Sequence, residues 1–591
     1  MQKEFKEVYY GFRSFRLKPT ERVLECKGVD VRLHKQWYDV LLILVRCKGR
    51  VVQAEELIEA IWPGQAARRI GRTANLHVNI AELRKALGKV DPEGSRFIKN
   101  HSGEGYSFTA LVVEHEVPRT IVILPFRSED EQDVPDESAQ KMADMLTTML
   151  NKNMSINVRR LDSVIRECNQ HPKQSPLIFG YRLEADYVFS GRIWRKQQLI
   201  SVDFLDVRAD DVKASMPFEG CHPESSDSIK VIYAWMESVL ELTPVDHETK
   251  QSAKQYTTNE KAREYYENGR IKRLQSSKAS LKRAINYFRR ATTEDPDFAR
   301  AYAGIADTYL FMGMLNLITP QESYEGAKGA AVVAREKGKD VAIAQTVWAF
   351  TKMFFEWQWL DAQEGFTRAI EINPKYSIAH MGYAQWLTAQ GRHAEATAEI
   401  NQAVSLDPYN FFISFVSGMI LFLDKQYDQS LKQFERTHEL NLRFNLKSDL
   451  PHYGLSLAYE YLALTSNASE REKLFAKSDD EARLAIRLSQ NHPLKLMHRA
   501  QIKARCGNTD KALELLDKVF DLRRVGHYVS PYHLAIVYSS LEESESAIRS
   551  LQEAERIRDQ YLFLSAADPR LDGLRFEPRF EELLSRIRLS N

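Results

Sequence analysis

The chain has 591 residues, 43% hydrophobic and 28% charged, the balance of an ordinary globular protein but too long for one core, so three or more domains are expected. Its net charge of +1 is unevenly spread: residues 1–110 hold 20 Lys and Arg against 13 Asp and Glu, a surplus of +7, and the remainder is in deficit by 6. A basic head on a mildly acidic body implies an anionic partner for the head alone, and the longest apolar run, Val40–Val45, is far short of the ~18 residues a membrane span needs.

Short alternating runs at Tyr10–Leu17, Arg22–Cys26 and Val29–Leu33 predict a small antiparallel sheet, with turns at Lys18-Pro19 and Lys27-Gly28. A helix is expected from about Lys35 to Cys47, with Trp37, Leu41, Leu44 and Val45 inward and Gly49 ending it. A shorter helix, Ala54 to Trp62, is stopped by Pro63-Gly64. Between Arg72 and Gly88, Leu76, Ile80, Leu83 and Leu87 recur at helical spacing and form one apolar stripe. Opposite lie Ala74, Val78, Ala81 and Lys85, with Asn75, Asn79 and Glu82 on the flank. Thr73 is the expected N-cap and Gly88 the expected stop. A hairpin follows, Arg96–Asn100 and Tyr106–Ala110, around Ser102-Gly103-Glu104-Gly105, whose glycines supply the positive φ that a tight turn needs.

A sheet, three helices and a hairpin are the parts of a winged helix-turn-helix. The segment resembles the DNA-binding domain of the OmpR/PhoB family of bacterial transcription regulators. The matching residues are Gly49-Arg50-Val51-Val52, Glu56-Leu57, Ile61-Trp62, Leu83-Arg84-Lys85-Ala86-Leu87 and Gly105-Tyr106-Ser107-Phe108. The resemblance implies a third helix in the major groove and a wing against the minor groove of double-stranded promoter DNA. By the family's positions, Asn75, Val78, Asn79 and Glu82 face bases, while Arg72, Thr73, Lys85, His101, Ser102 and Tyr106 hold phosphates. Ala81 and Glu82 stand where many relatives carry two arginines, which argues against strong guanine readout. A weak direct reader that needs neighbouring copies on DNA is the expectation.

After a linker at Val117-Pro118-Arg119, the run Ile121–Phe126 reads as a buried strand. Helices are expected near Glu137–Leu150, Asp162–Glu167 and Ser226–Leu240, and strands at Ala185–Trp194 and Gln198–Val207. This alternation indicates a small α/β domain. On Ile121–Phe126 and Glu184–Arg192 it resembles the TolB-like α/β domain that sits between a winged helix and helical repeats in bacterial regulators. No GxxxxGK[ST], GxGxxG, GxSxG or HExxH occurs, and His171, His222 and His247 are isolated, so neither an enzyme nor a cofactor is expected. Asp130 and Asp133 read as a solvated acidic loop, not as a phospho-acceptor pocket. The five cysteines are scattered without a CxxC pair, which fits reduced thiols in a cytosol and no metal site.

Beyond residue 251 the chain is helical and repetitive. Ala362, Phe366, Ala369 and Pro374 return 34 residues later as Ala396, Ile400, Ala403 and Pro408, and Ala284, Phe288, Ala291 and Pro296 repeat the pattern upstream. That period, with small residues where helices cross, is the tetratricopeptide signature. Residues 310–360 and 442–480 break it. Trp348, Trp357 and Trp359 read as inter-helix core, and Asp568–Phe580 as a cap on the array. Such arrays form a concave surface for a peptide or another subunit.

The expected architecture is therefore multidomain: a winged helix-turn-helix (α+β) over 1–112, a small α/β domain over 119–245 and an all-α tetratricopeptide superhelix over 251–591. In domain order and length it resembles the HilA-type regulators, one-component activators of invasion and secretion genes in enteric bacteria. The implied protein is a cytoplasmic bacterial transcription regulator without a membrane segment, its repeats serving self-association or a protein partner. Two alternatives stay open: a protein-interaction scaffold, and a regulator that senses a ligand through the α/β domain.

Overall fold

The computed structural model describes residues 8–588 apart from 20–21, 27–28, 62–68, 103, 117, 129–136, 152, 154, 172–173, 224, 243–256, 258 and 275–276. The expected turn at Lys27-Gly28, the stop at Pro63-Gly64 and the acidic pair Asp130 and Asp133 lie outside the described residues. The chain divides into two compact units, residues 1–120 with 153–157, and residues 121–152 with 158–591.

The first unit opens with strands β1 (Val8–Phe12), β2 (Phe15–Lys18), β3 (Val23–Cys26) and β4 (Val29–Asp30). The run read as one strand, Tyr10–Leu17, is a hairpin, because Arg13 takes a positive φ of 48° and turns the chain. Helices α1 (Lys35–Arg46), α2 (Ala54–Ile61) and α3 (Arg69–Val90) follow. Next come the wing strands β5 (Ile98–His101) and β6 (Gly105–Phe108), and then β7 (Val113–Glu116). β7 returns to pair with β1, so the sheet runs β4-β3-β2-β1-β7. Phe12, Phe15, Phe97 and Phe108 meet with ring centroids 4.9–6.1 Å apart and join that sheet to the wing.

In the second unit, Ile121–Ile123 pair in parallel with Tyr187–Phe189, and Tyr187–Trp194 pairs antiparallel with Leu199–Asp206. A further edge strand, Asp211–Glu219, was not legible in the sequence, because only Phe218 along it is buried and no apolar alternation marks it. Helices α4 (Glu137–Leu150), α5 (Leu161–Gln170), α6 (Pro176–Arg182) and α7 (Ser226–Val239) accompany the sheet. The Trp235 ring lies 6.1 Å from Phe189 and 5.8 Å from Phe218, fixing α7 to the sheet.

Eight helical hairpins follow among the described residues, from Glu260–Leu274 with Lys278–Glu294 to Pro531–Ser540 with Ser544–Arg556. In two of the hairpins an aromatic knob is set between glycines. A Cβ on Gly269 or Gly304 would sit 2.6 or 2.9 Å from the Phe288 ring, and one on Gly418 or Gly454 would sit 2.5 or 2.3 Å from Phe434. The first register break contains a π-turn at Lys352–Glu356, closed by Trp357 in the left-handed region at φ 52°. The second contains the long helix Ala468–Leu488. Trp348 and Trp359 are buried core residues.

The C-terminal segment does more than end the array. It runs back over the inner face: Gln560 donates to the Gly313 carbonyl (2.8 Å), Arg558 to the Phe355 carbonyl (3.0 Å) and Arg570 to the Tyr453 hydroxyl (3.1 Å). Trp359 donates its indole N–H to the Ile587 carbonyl (2.9 Å), and Phe563 packs on Phe354. Much of the concave surface expected to take a partner is thus occupied by the chain itself.

The α/β segment also binds the array through ion pairs. Arg160 lies 3.4 Å from Asp407, Arg270 lies 2.6 Å from Asp144, and Glu167 is fully buried between Arg182 (2.8 Å) and Arg443 (3.1 Å). Burial raises the cost of each charge, and only such pairing offsets it.

Candidate nucleic-acid interface

The structure sorts the residues of α3 by face. Leu76, Ile80, Leu83 and Leu87 are at most 1% exposed and pack in the core of the first unit with Val40, Leu41 and Leu44 of α1. Burying each such side chain contributes about 1.5–3 kcal/mol, enough to fix the helix's rotation about its axis. The opposite face is therefore the solvent face. Asn75, Val78, Ala81 and Lys85 are exposed there, Val78 by 61%, and Glu82 is half-buried beside them. Lys85 and Glu82 form a loose pair at 3.8 Å, worth only a few tenths of a kcal/mol at such exposure, so a phosphate or base competes readily for either.

Two expectations about this helix are corrected. It begins at Arg69, so Thr73 lies inside the first turns and is no N-cap, and it continues past Gly88 to Val90. The side chains of Arg72 and Thr73 lie outside the described residues, although both belong to the helix.

Asn79 does not join the exposed face. It is 9% exposed, and its Oδ1 accepts a hydrogen bond from Trp37 Nε1 at 3.1 Å, which ties α3 to α1. One residue along a helix is a rotation of about 100°, enough to take Asn79 from the face that Val78 occupies into the seam. Tyr106 is likewise inside, 2% exposed, and burial raises its phenol above the usual range. Its hydroxyl is hydrogen-bonded to His77 Nδ1, and its backbone exchanges two hydrogen bonds with Val52, at 2.8 and 2.9 Å. Tyr106 thus braces α3 against the wing and is not free to grip a phosphate.

The wing carries the remaining residues. His101 Nε2 and Ser107 Oγ share a hydrogen bond of 2.8 Å, which leaves the ring half-exposed, and Ser102 is exposed at the tip. Gly105 takes φ +130°, and a Cβ there would meet the Val52 carbonyl oxygen at 2.1 Å, so only glycine closes this turn beneath the strand bridge. Sequence reasoning missed Arg84 as a positioning residue. It donates Nε and Nη2 to the Ile98 carbonyl at 3.1 and 2.9 Å, fixing the wing's distance from α3. Its place four residues after Ile80, at the rim of the apolar stripe, was the available signal.

Residues 28–108 match the family model described as "Transcriptional regulatory protein, C terminal", the OmpR/PhoB-type domain. The chain is 21% identical over 441 residues to the transcriptional regulator HilA of Salmonella typhi and equally to that of Salmonella typhimurium, an alignment covering 70% of this chain and 74% of the relative. Among solved structures, a tetratricopeptide repeat protein of Parabacteroides merdae is similar at 14% identity with a TM-score of 0.29, covering 56% of this chain and 99% of that one. Among the described residues no helix is long and apolar enough to cross a membrane.

Proposed function

With an OmpR/PhoB-type domain over residues 28–108 as the premise, we propose that the chain is a one-component transcription regulator whose α3 enters the major groove of promoter DNA. The observation that carries this reading is the face of α3 itself: Asn75, Val78, Glu82 and Lys85 recur at helical spacing on the solvent side, opposite a fully buried stripe. Asn75 suits adenine, Val78 a thymine methyl, and Glu82 the amino group of cytosine. Lys85, with Arg72, Thr73, His101 and Ser102, serves the phosphate backbone. Asn79 and Tyr106 act one step back, by orienting α3 and the wing. Likeness to the HilA regulators supports an activator of virulence or secretion genes, and the repeats serve self-association or partner binding through faces left free by the C-terminal segment.

Duplex sites selected from random DNA by the full chain, followed by mobility shift, test this. Asn75→Ala and Val78→Ala are expected to weaken specific binding about five- to a hundred-fold each, the equivalent of ~1–3 kcal/mol. Lys85→Ala is expected to weaken all sequences alike and reduce the salt slope by about one. Unchanged affinity in all three variants rejects the assigned face, and the absence of salt-sensitive binding rejects the DNA-binding reading itself.

A further inference from the structure

Between α5 and the inner face of the array lies a cavity of ≈ 830 Å³, within the size range of sites for metabolites and cofactors. Its walls carry eight Lys and Arg side chains against four aspartates. Each aspartate already has a cation: Asp162 and Asp407 share Arg160 (3.4 Å each), Asp307 holds Arg273 (2.9 Å) and Asp449 holds Lys495 (2.9 Å). Arg166 of α5 lies half-buried on the same wall, and among the described residues its side chain makes no hydrogen bond or ion pair. Burial lowers its affinity for a proton, and Asp162 and Asp407, already shared with Arg160, offset only part of that cost from a distance.

A second, uncharged group shows the same incompleteness. Gln385 lines this cavity, is only 8% exposed, and its Oε1 has no hydrogen-bond partner among the described residues. Buried amides are ordinarily satisfied, so an open acceptor and an open guanidinium on the walls of one cavity mark a place where a ligand supplies the missing groups. Phe311 and Phe412, half-buried and 5.4 Å apart edge to face, line the same space, and the Arg273 guanidinium covers one face of Phe311 at 3.7 Å. Lys447 at the rim adds a further exposed cation.

We propose that this cavity binds a small organic polyanion bearing a flat ring, of the nucleoside-phosphate class, with Arg166 on the phosphate, Gln385 on a donor of the ligand, and Phe412 against the ring. The site joins the α/β segment to the array, so a bound ligand ties α5 to the hairpins and serves as a signal input. This inference stands apart from the DNA-binding reading, and neither depends on the other.

Calorimetric titration of the full chain with ATP, pyrophosphate and adenosine tests it. ATP is expected to bind saturably, pyrophosphate about ten-fold more weakly, and adenosine not measurably. Arg166→Met is expected to weaken ATP binding about ten- to a hundred-fold, as loss of a charge-assisted hydrogen bond should, and Arg166→Lys to restore part of it. The melting temperature of unliganded Arg166→Met is expected at or above that of the parent chain, since it removes a half-buried charge without a bonded partner; this separates a binding role from a structural one. Gln385→Leu gives a second reading, with a smaller loss. Equal ATP affinity in the parent and Arg166→Met, equal affinity for adenosine and ATP, or no saturable binding of ATP or pyrophosphate at millimolar concentration overturns the proposal.

Discussion

At the scale of single residues, the first unit depends on positions whose neighbours are distant in sequence. Gly105 is set by Val52, fifty-three residues earlier: the bridge between Val52 and Tyr106 brings a carbonyl oxygen to where any Cβ would stand. Gly49 also has positive φ, at +94°, but the nearest atom to its missing Cβ is 3.7 Å away. The two substitutions therefore separate steric from conformational cost. Gly49→Ala is expected to destabilise the first unit by about 1 kcal/mol, and Gly105→Ala by about 2–4 kcal/mol, as read from denaturant midpoints. Equal costs at the two positions would count against the close approach. Asn79 teaches the same lesson. Its type and spacing place it beside a base-reading face, yet Trp37, forty-two residues away, takes its carbonyl oxygen.

At the scale of elements, the C-terminal segment is the most consequential. Leu562, Phe563, Leu564, Leu571, Leu574 and Phe580 are all buried against the array. Their burial contributes on the order of 10 kcal/mol, an upper estimate because an unfolded chain already hides part of that surface. A chain ending at Arg556 is expected to melt well below the full chain and to bind a hydrophobic dye, because the inner face loses its cover. Identical melting and dye binding would show that the segment is only an end cap. The sequence motif Asp568–Phe580 was legible as a capping feature; its return across hairpins that begin more than two hundred residues earlier was not, since the contacts that hold it are individually unremarkable in type. The 34-residue period, by contrast, was legible because small residues and proline recur at fixed places in the hairpins, as Ala362, Ala369 and Pro374 do in Ala396, Ala403 and Pro408.

At the scale of the whole molecule, the α/β segment and the array form one compact unit, and its interior holds several histidines that stay neutral. Burial pushes His492 down to about 4, assisted by Lys495, and pushes His498 and His533 below the usual range, with Arg570 acting in the same direction. A folded-state pKa below the unfolded value near 6.5 means that the unfolded chain binds the extra proton first. Stability from these groups is therefore complete above about pH 6.5 and falls as pH drops from 6.5 towards 4. Asp479 adds a lower step: burial alone would raise it, but Arg499 and Lys503 hold it at about 2, so its contribution persists above about pH 4 and is lost only towards pH 2. Thermal melts of the full chain across pH 7 to 4 are expected to fall steadily, and His492→Gln is expected to flatten that fall. An unchanged slope in the variant would remove His492 from the account.

The sequence by itself determined most of the helices and strands and which stripe of α3 is buried, because helical and strand periodicities are local and apolar burial is nearly additive; the edge strand Asp211–Glu219, with one buried residue, carried no such period. It determined the repeat as well, since one small-and-aromatic pattern recurs in several hairpins. Tertiary structure alone decided which polar residues remain on the surface of α3, that much of the inner face of the array is covered by its own C-terminus, and that Arg166 and Gln385 line one cavity. Those outcomes depend on pairings between residues tens to hundreds of positions apart, where side-chain type states what a group can bond and only the fold states whether a partner arrives.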